Sequence, residues 1–110
     1  MSTTIVGTAQ KSDSLTFYAA FMLNKDTLRV YVGNSDTALP DFRVSDAKLT
    51  YTSESDLMGN FDHDIKVGND LVIEISSGAT IRGKLTGFGA ASMSGTGHWI
   101  DVPLDPKSPD

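Results

Sequence analysis

The stretch DLMGNFDHDIKVGND, Asp56–Asp70, holds four aspartates and one of the chain's two histidines. Carboxylates and an imidazole at that density are the raw material of a metal site or an acid–base site. Spacing decides what they can do. In FDHDIKV a period of two puts Phe61, His63, Ile65 and Val67 on one face and Asp62, Asp64 and Lys66 on the other. His63 is therefore expected on the apolar side, as a core or rim histidine, away from its neighbouring aspartates. Asp62 and Asp64 share a face about 7 Å apart, which makes them the metal candidates. A hard cation such as Ca2+ takes roughly six to eight oxygens from a curled loop, and the D-x-[DN]-x-[DN]-G pattern is absent. Lys66 on the same face is expected to pair with Asp64 and repel a cation. The expectation is a solvated acidic strand face with no metal, with Asp56 and Asp70 serving turns.

The second histidine lies in GTGHWIDVPL. Here His98, Ile100 and Val102 share one face, and Trp99 and Asp101 the other. The sole tryptophan beside a carboxylate, after a glycine-rich loop, is the chemistry of a sugar platform: the ring stacks on a pyranose and the acid accepts from its hydroxyls. The alternative is that Trp99 packs a second sheet face or a subunit contact. Asp36 and Asp41, in the polar loop GNSDTALPD, join Trp99 and Asp101 as ligand-binding candidates. Catalytic constellations are missing. There is no G-x-S-x-G elbow, nothing places Glu54 beside Glu74, and GFGAASMSGTG lacks the helix that a phosphate cradle needs. No cofactor is called for, and a non-enzyme is expected.

These residues need elements to hold them. The chain has 110 residues, 39% apolar and 21% charged, which is one globular domain. It has no cysteine, so disulfides and thiolate metal sites are excluded. Its net charge is −5, with nine basic residues spread along the chain, which argues against nucleic acid. No apolar run is long enough for a membrane span, and MSTTIVGTAQ carries no visible signal peptide. A cytoplasmic protein, or one exported without such a signal, is the simplest expectation.

Short alternating runs separated by Gly, Asn, Asp and Ser clusters predict strands. LTFYAAFML, Leu15–Leu23, is apolar on both faces, which calls for cover on both sides. The NKD turn leads to TLRVYV, where Leu28, Val30 and Val32 are expected inward and Arg29 and Tyr31 outward. Further strands are read with Ala47, Leu49 and Tyr51 inward, in FDHDIKV, in LVIEI, in TIRGKLTGF and in HWIDVPL. GFGAASMSGTG is a loop or a loop with a bulged strand start. Gly83 and Gly87, on the inner side beside Ile81 and Leu85, suggest a bend or a close approach of another strand. Leu71–Phe88 resembles the strand–turn–strand core of Sm-like RNA-binding proteins, but the chain departs from that family at GAASMSG, and no family follows from it.

The pattern predicts a single all-β domain over residues 1–104 with a loose tail at 105–110. An antiparallel β-sandwich of about eight strands is expected first, with a small closed β-barrel as the alternative. Three functions remain: a binding module for carbohydrate or a protein surface, a homo-oligomeric assembly subunit joined through Leu15–Leu23, and a small barrel enzyme or carrier for an apolar ligand.

Overall fold

Eight strands form in the computed structural model, which describes residues 2–24, 27–85 and 90–103. They are β1 (Thr3–Asp13), β2 (Thr16–Asn24), β3 (Thr27–Asn34), β4 (Arg43–Tyr51), β5 (Asn60–Val67), β6 (Asp70–Ile75), β7 (Thr80–Lys84) and β8 (Ala91–Pro103). A single 3-10 turn, Glu54–Leu57, separates β4 from β5. The all-β class is as expected. The architecture is the closed barrel and not the sandwich, because the strands join in the cyclic order β1-β2-β3-β8-β5-β6-β7-β4, all antiparallel. Closure leaves the sheet without an outer edge strand.

Two strands differ from the sequence reading. β1 runs from Thr3 to Asp13, through TTIVGTAQ, whose alternation is masked by Thr, Gly and Gln. β8 begins at Ala91, inside the expected Gly/Ser loop, because the glycines there face a crowded interior. A Cβ on Gly97 would stand 2.5 Å from the Tyr31 ring, and one on Gly95 only 1.8 Å from the Asn34 carbonyl oxygen. The NKD turn at Lys25 and Asp26, Gly87, and the tail at 105–110 lie outside the described residues.

The interior is filled from rim to rim. Phe42 meets Phe17 at 6.3 Å between ring centroids, Phe17 meets Tyr31 at 6.0 Å, and Tyr31 meets Trp99 at 5.0 Å. Ala9, Ala19, Ala47, Leu49, Ile65, Leu71, Ile73 and Ile81 complete the packing, all buried. Crossing segments plug both ends. The segment between β3 and β4 buries Leu39 and Phe42 at the lower rim, held by Leu39 N–H donating to the Ser14 carbonyl at 2.8 Å. The 3-10 turn buries Leu57 at the upper rim, and its capping box joins Ser53 to Asp56.

The phase of β3 is opposite to the expected one. Ala19 pairs with Tyr31 and Phe21 with Arg29, so Arg29 and Tyr31 face inward and Leu28, Val30 and Val32 face outward. The apolar count of TLRVYV favours the wrong face. The arginine closes the upper rim with partners contributed by other elements, and the tyrosine finds a buried histidine.

Candidate functional site

At the upper rim Arg29 is 4% exposed and stands opposite Asp101 on β8. Its Nε and Nη2 donate to the Asp101 carboxylate, its Nη1 donates to the Leu57 carbonyl at 2.9 Å, and its Nη2 lies 3.4 Å from Glu54. Trp99 sits below this cluster, 7% exposed, with its ring on Tyr31. The expected stacking platform is therefore absent from the surface. Alternation does put Trp99 and Asp101 on one face, but that face is the barrel interior, where packing claims the indole and Arg29 claims the carboxylate. The shallow concavity beside them, about 170 Å³, is bordered by Arg29, Leu57, Met58, Gly59, Ile100 and the two candidates.

Asp36 and Asp41 lie at the opposite rim, so the four candidates do not converge. Asp36 fastens its loop to β8: its N–H donates to the Ser94 carbonyl, and its carboxylate accepts from the Ser94 N–H at 3.2 Å. Asp41 is fully solvated, 3.7 Å from Lys11.

The acidic strand behaves differently from its expectation in one respect. Lys66 pairs with Glu74, at 3.8 Å, and not with Asp64, which accepts from the Ser94 hydroxyl at 2.7 Å. Cross-strand register explains this, because Asp64 stands opposite Ser94 on one side and Glu74 on the other. Among the described residues no three metal-ligating groups converge.

His63 is buried inside the barrel. Its Nδ1 lies 2.6 Å from the Tyr31 hydroxyl, and Phe17 packs edge-on at 5.3 Å. Burial lowers the His63 pKa, against an opposing pull from the Asn34 backbone and from Asp64 and Asp62. Burial, with the charge of Asp62 adding to it, raises that of Tyr31. The hydroxyl therefore stays protonated and hydrogen-bonded to Nδ1. Among the described residues His63 Nε2 and Trp99 Nε1 are buried without a hydrogen-bond partner.

The outer surface divides into two unlike halves. On β1, β2, β3 and β8 the outward residues form aligned rows. Met22, Leu28 and Val102 make one, which Val6 extends. Thr8, Ala20, Val30 and Ile100 make the next, and Gln10, Tyr18, Val32 and His98 the third. None is Asp, Glu, Lys or Arg. Met22 is 43% exposed and Ile100 41%. The other half carries the charge, and there the basic residues are not dispersed as the linear sequence implies. Arg43 and Lys48 on β4 and Arg82 and Lys84 on β7 border one groove of about 540 Å³.

Comparison with protein-family models, with curated proteins and with solved structures finds no match. The chain's own geometry is what argues for a function.

Proposed function

We propose that this chain is a non-catalytic assembly subunit that buries its β1–β2–β3–β8 wall against the same wall of a second copy. The observation that supports this reading is the uncharged outer wall. Charged residues make up 21% of the chain, yet three successive rows across four strands contain none. Val6, Met22, Ile100 and Val102 are exposed on it around a buried Val30, and an exposed apolar cluster of this kind marks an interaction site. β2 is the strand whose apolar residues on both faces called for cover: Phe17, Ala19 and Phe21 fill the barrel, and Tyr18, Ala20 and Met22 face out. Two such walls can stack at about 10 Å, as sheets do in sandwiches. A two-fold pair is the commonest closed arrangement for identical chains.

The lectin-like reading loses its platform with Trp99 buried. The carrier reading finds the interior occupied by side chains.

Sedimentation velocity tests the proposal. The wild type is expected to sediment as a dimer or larger closed oligomer at micromolar concentration. Ile100→Glu, at an exposed position, is expected to give a monomer with a near-wild-type melting temperature. A wild type that stays monomeric up to high concentration would overturn the reading.

A further inference from the structure

We infer that the groove between β4 and β7 is a binding site for a short acidic saccharide, a mono- or disaccharide bearing a carboxylate or sulfate group. This goes beyond assembly, since the groove lies on the charged half of the barrel.

The groove is built by a specific distortion. Along β1 and β4, Gly7 pairs with Ala47 and Ala9 with Val44, so β4 carries one extra residue. Ser45 and Asp46 both point outward there as a β-bulge, which bends the strand and re-aims its side chains. β4 and β7 consequently pair only from Lys48 to Thr50 against Thr80 to Arg82, and below that they part. Val44 floors the opening against Gly83, where an added Cβ would come within 2.3 Å of the valine.

Charge then selects the ligand. Lys48 and Arg82 are directly opposite each other on the outer face. Like charges so placed repel. Among the described residues neither they nor Arg43 and Lys84 form a salt bridge. Among the described residues this cationic pair has no acidic partner, and an anion placed between them relieves the repulsion. Asp46 and Asp70 also border the groove. They disfavour a bare anion and suit a ligand that offers hydroxyl donors beside its anionic group, with Ser45 adding a further polar contact. The volume lies in the range of small-ligand sites. A long polyanion is disfavoured, because it would run onto the acidic surface of Asp62, Asp64 and Glu74.

The test is an amide-resolved NMR titration of the full chain with digalacturonate and, separately, with a sulfated disaccharide. Maltose and sodium sulfate serve as controls at matched ionic strength. Saturable shifts centred on Ser45, Lys48 and Arg82 are expected with at least one acid disaccharide, and which one binds identifies the anionic group. Maltose should give none, and sulfate should bind about tenfold more weakly or worse. Arg82→Gln should weaken the disaccharide about tenfold without lowering the melting temperature of the free protein, because it also removes a repulsion; a mere folding defect would lower both. Failure of both disaccharides overturns the inference. Sulfate binding as tightly as the sugar, or maltose binding equally well, also overturns it.

Discussion

The Tyr31–His63 bond joins two polar groups that burial would otherwise penalise. Its energetic consequence depends on proton bookkeeping. His63 in the barrel has a pKa below the ordinary 6.5 because burial disfavours the charged ring. The unfolded chain therefore takes up this proton first as pH falls. The stabilisation is complete above about 6.5 and is lost as pH drops through the folded-state pKa. The urea midpoint should accordingly fall between pH 7.5 and 5.5, and His63→Asn should flatten the profile over that interval. An unchanged profile in the variant would exclude His63 as its source. Tyr31→Phe leaves Nδ1 unpaired in the interior and should cost about 1–3 kcal/mol by chemical denaturation. Half of this arrangement was readable in advance. The period of two puts His63 among Ile65 and Val67, but the same rule, applied to TLRVYV by counting apolar residues, turns its tyrosine outward.

At the scale of the strands, β3 shows why the count misleads. Its inward face carries an arginine and a tyrosine, and the partners that make that face core are remote: Asp101, Glu54, the Leu57 carbonyl and His63. β8 shows a second cause. Gly95 and Gly97 resemble loop glycines in the sequence, whereas in the fold they are where the interior has no room for a side chain. Gly97→Ala should destabilise by about 1–3 kcal/mol, since its Cβ would meet Tyr31 at 2.5 Å and the Val32 carbonyl oxygen at 2.7 Å. Gly68→Ala, in the β5–β6 turn with open space around it, is the matched control and should be neutral or slightly stabilising. Equal losses in the two variants would contradict the steric account. β5 and β7 were legible because their apolar residues alternate with charged or polar ones, and β6 because Leu71, Ile73 and Ile75 keep the period of two. The β4 bulge was not, because SDA contains no local sign of an extra residue; only the pairing with β1 reveals it. The groove shared that invisibility, since Arg43 and Lys84 are far apart along the chain.

For the whole molecule, the asymmetry of the outer surface sets how association should respond to salt. Each copy carries a net charge of −5, so in the proposed pair two copies would repel at long range while the facing walls bear no Asp, Glu, Lys or Arg. Screening weakens the repulsion and leaves apolar burial intact. Raising NaCl from about 0.02 to 0.5 M, which shortens the Debye length several-fold, should therefore tighten self-association in sedimentation equilibrium. Weakening with salt would point to a charge-paired interface elsewhere. The all-β class and the alternation of most strands could be read from the chain. Whether they close into a barrel could not, because closure is decided by which strands β4 and β8 meet.

β8 lies between β3 and β5, pairing with β5 from Ala91 to His98 and with β3 from Gly97 to Pro103. Until it arrives, the preceding strands can form only an open sheet with two bare margins, and those margins belong to strands whose other neighbours are already in place. Closing the barrel therefore requires one long strand to pair with both margins. Such non-local pairing is slow, on the order of milliseconds to seconds, and the open sheet is the species most prone to add a stray strand from another molecule. A nascent chain would pass through that state, with its barrel unsealed, until the stretch from Ala91 to Pro103 has emerged.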